Sequence, residues 1–359
     1  MSKKIITIIG ARPQFIKAGI VSKALKKVGV NEILIHTGQH FDNNMSQIFF
    51  HEMEIPKPAY NLSIHSLPHG AMTARMLESI EQILMKEKPS AVVVYGDTNS
   101  TLAGALAAQK LHIPIAHIEA GLRSFNMQMP EETNRVLTDR ISSWLFCPTD
   151  KAIENLQNEG YENLNTQIIR SGDVMQDASL YYKDKAEQQS SIIKDLSLRK
   201  DNYILCTMHR QENIDNPIKL KKITSILNQL NHQSQIVLPL HPRTKKALLA
   251  QNINLKFTTI EPVGYLDMIQ LVSNSKFVMT DSGGVQKEAF FFHKYCLTMR
   301  EETEWTELVE GGFNILTGTS QTAILKAVST MATRKADFTQ DLYGNGKASE
   351  RIAEELEKF

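Results

Sequence analysis

Short apolar, β-branched runs alternate along this chain with stretches of amphipathic helical spacing. In the first half the runs at 5–9, 33–37, 91–94, 115–118, 145–147 and 168–170 read as strands. The spacing between them predicts helices over 15–27, 71–87 and 101–111. The alternation then restarts, with runs at 203–207, 236–240, 257–260, 277–279, 296–299 and 314–316. Apolar strands joined through helices predict parallel sheets covered on both faces. The segment 187–202, rich in Gln, Ser and Lys, carries one brief apolar turn and precedes the restart. The expected fold class is α/β, two doubly wound domains facing a central cleft and joined within 171–202.

Composition narrows the class. The 359 residues are 42% apolar and 22% charged, enough for two cores in a soluble globular protein. Forty basic residues against 39 acidic ones argue against a nucleic-acid partner. Cys147, Cys206 and Cys296 are widely spaced and lie in or beside apolar runs, so they read as buried thiols of a reducing compartment. The run 5–9 is too short for a membrane span and stops at Gly10, so neither membrane nor signal peptide is expected, and the location expected is cytoplasmic.

Ligands of doubly wound sheets lie beyond the carboxyl ends of the strands, and the unusual residues fall there. Gly10-Ala11-Arg12-Pro13, Thr37-Gly38-Gln39-His40, Gly96-Asp97-Thr98 and Glu119-Ala120-Gly121 follow runs of the first half. Met208-His209-Arg210, His241-Pro242-Arg243 and Asp281-Ser282-Gly283 do so in the second. The stretch from Asp281 to Glu288 says most. A buried strand breaks into Gly283-Gly284 at a helix mouth, where the backbone can approach a ligand and free amides can bind an anion. Glu288, one turn in, is placed to accept from the two hydroxyls of a ribose. Diphosphate beside ribose is the polar half of a nucleotide-sugar, although an ordinary strand-to-helix turn would read the same alone.

Arg12, Lys17, Arg210, Arg243 and Arg300 are candidate phosphate ligands, each singly also readable as a solvated charge. Asp97, Glu119 and Glu131 are the candidate general acids and bases. Asp97 and Glu119 sit in apolar settings where a carboxyl pKa is expected to rise. Glu132 beside Glu131 reads more simply as favouring a helix N-terminus. His209, at a strand end before Arg210-Gln211-Glu212, reads as functional. His36, His51, His112 and His232 read as packing or surface, and His117 as lying within a strand. No His, Cys and acid cluster has metal-ligand spacing, no G-x-G-x-x-G follows the first strand, and Gly346-Lys347 lacks the rest of a P-loop, so neither metal nor cofactor is expected.

Taken in order, these motifs resemble the non-hydrolysing UDP-N-acetylglucosamine 2-epimerases. Glu119-Ala120-Gly121-Leu122-Arg123, Pro130-Glu131-Glu132-x-Asn134-Arg135, His209-Arg210-x-Glu212-Asn213 and Asp281-Ser282-Gly283-Gly284-x-Gln286-x-Glu288 continue the match from residue 10 to about 315. The resemblance implies two Rossmann-like domains of the glycosyltransferase-B type, 1–172 and 173–344, with a last helix in 345–359 packing back on the first. It also implies a homodimer that expels UDP from C1 while removing the C2 proton, then readds it with C2 inverted. In that scheme Asp97, Glu119, Glu131 and His209 are catalytic. Arg12, Gln14, Lys17, Arg210, His241, Ser282, Gly283, Gly284, Glu288, Arg300 and Trp305 bind the UDP-sugar.

The departures bear on substrate. The family's Gly-Thr-Arg-Pro-Glu is here Gly10-Ala11-Arg12-Pro13-Gln14, and its Thr-Glu-Arg-Pro-Glu is Thr303-Glu304-Trp305-Thr306-Glu307. Both look like the branch acting on UDP-2,3-diacetamido-2,3-dideoxyglucuronate, in surface polysaccharide synthesis (O-antigen or capsule). Gln14 would relieve repulsion with the substrate carboxylate, and Trp305 would pack an acetyl methyl. The other reading keeps UDP-N-acetylglucosamine as substrate. The family's activator site draws an arginine from after the second strand, and none occurs between Arg12 and Arg75, which puts substrate activation in question. Rival classes are a glycosyltransferase of the same fold, a hydrolysing epimerase and a non-catalytic sugar-nucleotide sensor.

Overall fold

Each predicted apolar run forms a parallel strand in the computed structural model, which describes residues 3–39, 55–331 and 333–359. The chain divides into two compact units, Met1–Ala178 with Asp341–Phe359, and Ser179–Gln340. The first holds β1 (Lys4–Ile9), α1 (Arg12–Lys27), β2 (Asn31–His36), β3 (Tyr60–Asn61), α2 (His69–Glu87), β4 (Ala91–Tyr95), α3 (Asn99–Lys110), β5 (Ile115–Ile118), α4 (Pro130–Ile141), β6 (Trp144–Cys147), α5 (Asp150–Asn158), β7 (Gln167–Arg170) and the start of α6 (Val174–Gln189). The second continues with α7 (Ile192–Asp195), β8 (Tyr203–Thr207), α8 (Gln211–Ile214), α9 (Pro217–Leu230), β9 (Gln235–Pro239), α10 (Pro242–Ala250), β10 (Thr258–Ile260) and α11 (Tyr265–Ser273). It ends with β11 (Phe277–Thr280), α12 (Gly283–Phe291), β12 (Cys296–Thr298), α13 (Thr306–Glu310), β13 (Asn314–Leu316) and α14 (Gln321–Met331), before α15 (Ala348–Lys358) returns to the first unit.

The first sheet runs β3-β2-β1-β4-β5-β6-β7 and the second β10-β9-β8-β11-β12-β13. In each the order reverses beside the first strand, between β1 and β4 and between β8 and β11. That is the switch point where doubly wound sheets open a ligand crevice at the strand carboxyl ends.

Both faces of each sheet are covered, which is why the strands read as unbroken apolar runs. Ile6, Ile8, Val92 and Val94 pack with Met76, Ile80 and Leu84 of α2 and Ala103 and Ala107 of α3. In the second sheet Ile204 and Cys206 face Ile223 and Leu227 of α9, while the alternate residues Tyr203 and Leu205 join Leu271 and Val272 of α11.

The three helices predicted in the first half all begin two or three residues earlier than their apolar spacing shows. Thr98 caps α3 by accepting from the Thr101 amide at 3.3 Å, and Pro13 fits the first turn of α1. β3 spans two residues and carries no apolar run, so periodicity could not signal it. The last helix packs on α1. Asp177 caps it, accepting from the amides of Ala348 and Ser349 at 3.1 and 2.7 Å, and Phe359 closes on Trp144 with ring centroids 4.5 Å apart. His40 and His51 lie outside the described residues.

Candidate active site

In the first unit the acids stand at the ends of β4 and β5, on either side of Gly96. Asp97 forms an ion pair with Arg135 of α4, and Asn134 of the same helix donates to the Asp97 carbonyl at 2.8 Å. Desolvation raises the Asp97 pKa, and nearby Glu119 adds to the rise, while Arg135 and Lys17 only partly offset it. Glu119 holds a left-handed backbone at φ 73°, costly for a residue with a side chain. Its carboxylate is ion-paired with Lys17 of α1, and both side chains are largely covered. Glu131 opens α4 half-buried, with no hydrogen bond or ion pair among the described residues. Glu132 braces the loop before its helix, accepting from the amides of Ser124 and Phe125 at 2.9 Å and from Arg135 at 2.9 Å.

Two of the residues expected to bind the sugar are buried. Gln14 is 2% exposed. Its amide oxygen accepts from the Gly10 and Ala11 amides at 2.8 and 3.0 Å, and its nitrogen reaches the Tyr95 carbonyl at 2.8 Å and Thr98 and Thr101 at 3.0 Å. A buried amide with acceptors on its nitrogen acts as a brace between the β1 and β4 loops, which a carboxylate could not copy. Trp305 offers no open ring either. It is 4% exposed, with the Lys287 ammonium 4.0 Å above it. Lys17, placed among the phosphate ligands by sequence, spends its charge on Glu119. Arg12 stands partly exposed in the first turn of α1.

In the second unit Asp281, wholly buried, organises the loop after β8. It accepts from the amides of His209 and Arg210 at 3.0 and 3.1 Å and from the Asn213 side chain at 3.1 Å. The His209 ring stays partly open, with Nδ1 3.7 Å from Asp281 and the His241 ring 5.9 Å away. Burial lowers the His209 pKa, Asp281 opposing, so the neutral ring is favoured. His241 caps α10, its Nδ1 accepting from the Arg243 amide at 3.2 Å, while Arg243 pairs with Asp215 at the surface.

At the mouth of α12 Gly284 and, one turn on, Glu288 lie toward the open side, while Gly283 is covered. A side chain at Gly283 would collide with the Glu304 carboxylate. Glu304 binds Arg300 at 2.7 Å and lies 4.0 Å from Arg210. Burial would raise its pKa, but Arg300 and then Arg210 bring it below the ordinary carboxylate value. Arg300 Nε is buried with no hydrogen-bond partner among the described residues, 3.9 Å from Glu212. Ser282 precedes the helix, its amide donating to Thr280 at 2.9 Å.

The structure places Asp97, Glu119, His209 and Gly283-Gly284 just beyond strand ends, and adds Arg135, Asn134, Gln286 and Glu304 as residues that hold these loops. All four lay inside quoted motifs but needed the fold to show their targets. Gln286 joins Thr303 at 2.8 Å to Asn314 at 3.2 Å. Among the described residues no three His, Cys, Asp or Glu side chains gather as a metal site, and no helix is long and apolar enough to cross a membrane.

A doubly wound unit with coupled acids, and another whose glycine-opened helix start lies by arginines, define an enzyme of the nucleotide-sugar class. The family model described as UDP-N-acetylglucosamine 2-epimerase matches residues 23–357. A Pseudomonas aeruginosa UDP-2,3-diacetamido-2,3-dideoxy-D-glucuronate 2-epimerase is 55% identical over 99% of this chain and 100% of its own. The Methanocaldococcus jannaschii UDP-GlcNAc 2-epimerase, solved with UDP-GlcNAc and UDP, superposes with a TM-score of 0.89 at 44% identity, covering 100% of both chains. That of Neisseria meningitidis, bound to UDP-GlcNAc, gives 0.89 at 31% over 99% of this chain and 100% of that one. This chain belongs to the UDP-N-acetylglucosamine 2-epimerase family, with its glycosyltransferase-B type fold, and is a UDP-sugar 2-epimerase, an isomerase. A Rickettsia africae glycosyltransferase, 13% identical with a TM-score of 0.58 over 99% of this chain and 98% of its own, shares the fold alone.

Proposed function

We propose that the substrate is UDP-2,3-diacetamido-2,3-dideoxyglucuronate and the product its manno-configured C2 epimer, a precursor for surface polysaccharide. The observation that carries this is the 55% identity, over nearly the whole of both chains, to the Pseudomonas enzyme of that specificity. The C2 hydrogen is not beside a carbonyl, so its direct removal is unfavourable. Instead the C2 proton passes to a carboxylate as the C1–oxygen bond breaks, giving a C1–C2 double bond and UDP. The reverse step returns the UDP oxygen to C1 and delivers a proton to the opposite face of C2.

Such a cycle needs one carboxyl that holds a proton and one that takes it. We assign Asp97, whose pKa burial raises, the ion-paired Glu119 and Glu131 as the candidates for these two roles. In the second unit Arg210, Arg300 and the start of α12 would steady the diphosphate, Glu288 the ribose, and the neutral His209 would assist near the leaving phosphate. Three buried free thiols suit a cytoplasmic location, and we take the working form to be a homodimer by analogy with the family.

Proton NMR in heavy water, with each UDP-sugar offered separately, tests the reading. Deuterium at C2 and a new manno product from the diacetamido substrate alone is the expected result. Turnover of UDP-N-acetylglucosamine alone would move the chain to the second reading, which the 45% identical Methanocaldococcus jannaschii UDP-N-acetylglucosamine 2-epimerase favours.

A further inference from the structure

His117 and Asp139 are both wholly buried on the first unit, and neither belongs to the acid set. His117 Nδ1 lies 2.7 Å from an Asp139 oxygen, and Nε2 lies 2.7 Å from the Gly96 carbonyl. A carbonyl only accepts, and Arg123, 2.6 Å from the other Asp139 oxygen, favours the carboxylate. The His117 ring thereby spans the Gly96 carbonyl and the Asp139 carboxylate. The second Asp139 oxygen also accepts from the Gly121 amide at 3.1 Å. Arg123 is gripped in turn by both oxygens of Glu159 at 2.7 and 2.8 Å.

The targets give this arrangement its meaning. Gly96 immediately precedes Asp97, and Gly121 stands two residues beyond Glu119. Gly96, Glu119 and Gly121 all hold left-handed backbone, at φ 60°, 73° and 79°, and at Gly121 a side chain would strike the Ala152 carbonyl. Left-handed backbone at Glu119 persists only where the surroundings over-determine it. The His117–Asp139 pair supplies that constraint from beneath, tying the end of β4 to the loop after β5 through one buried carboxylate.

We propose that His117 and Asp139 are positioning residues that hold the Asp97 and Glu119 loops in mutual register for the two proton transfers at C2. The inference rests on the epimerase reading above. Register matters most after elimination, when the glycal must be reprotonated before it escapes. The telling quantity is the share of turnovers that release free glycal and UDP instead of epimer. That share is counted per turnover, so it does not depend on how much enzyme is folded, whereas a role in folding alone would change only the amount of active enzyme.

The experiment compares the full-length protein with His117→Gln and Asp139→Asn, following glycal, UDP and epimer by NMR in heavy water. The expected result is a kcat lower by roughly a hundredfold, as for reacting groups displaced by about 1 Å, with KM little changed and the glycal share raised several-fold. If Asp139→Asn does not fold, His117→Gln carries the test alone. A kcat loss with an unchanged glycal share, or no loss, would overturn the proposal. A wild-type protein that exchanges no C2 hydrogen on either UDP-sugar would instead sink the epimerase reading, so the two failures are distinguishable.

Discussion

The ammonium of Lys17 on α1 meets a carboxylate oxygen of Glu119 after β5, joining residues 102 positions apart in the chain. Their side chains are 8% and 15% exposed, so neither charge can fall back on water. Removing one partner leaves the other uncompensated, at a cost of about 3 kcal/mol. Lys17→Met should lose that much in urea unfolding, and Lys17→Met with Glu119→Gln should recover most of it. A double variant no more stable than the single one would mean the pair is not coupled.

Asp97 ties stability to pH in the opposite sense from most carboxylates. Its folded pKa lies above the ordinary 3.8, mainly through burial. The folded chain therefore holds this proton more tightly than the unfolded one, and the group's contribution to stability falls as pH rises through that interval. Asp97→Asn lacks the effect, so its stability relative to the parent should improve as pH climbs from 3.8. Its turnover should drop by roughly a hundredfold or more, with UDP still bound. Thermal melts across pH and a UDP titration check both halves, and a relative stability that falls with rising pH would contradict the assigned cause.

Gln14→Glu tests whether this position braces the loops or faces substrate. A carboxylate there would turn an acceptor toward the Tyr95 carbonyl, where the native amide donates at 2.8 Å. The expected cost is about 2 kcal/mol in chemical unfolding, with the preference between the two UDP-sugars unaltered. A changed preference at full stability would restore the substrate-facing role.

Glu304 supplies the ordinary acid limb. Burial opposes its charge, but Arg300 and then Arg210 hold its pKa below 4.5. The stability it contributes is therefore complete above 4.5 and lost as pH falls through the folded value. Glu304→Gln should be about 2 kcal/mol less stable at neutral pH, with the gap closing in acid. It also frees two arginines beside the α12 mouth, so UDP should bind more tightly in calorimetry. Weaker UDP binding would show that Glu304 orders those arginines for the ligand instead of occupying them.

The sequence by itself determined every strand but the two-residue β3, and the position of Asp97, Glu119, His209 and Gly283-Gly284 just beyond strand ends. These follow from period and local chemistry, because apolar alternation and glycine punctuation act on neighbouring residues. The tertiary structure decided what each polar group touches. Arg135 finds Asp97, Lys17 finds Glu119, Gln14 turns inward and His117 links Gly96 to Asp139 because strand order brings β1, β4 and β5 side by side. Gln14 shows the limit most plainly. An amide and a carboxylate differ little in a written motif, but once buried only the amide can donate to a carbonyl, and that decides which way the residue faces.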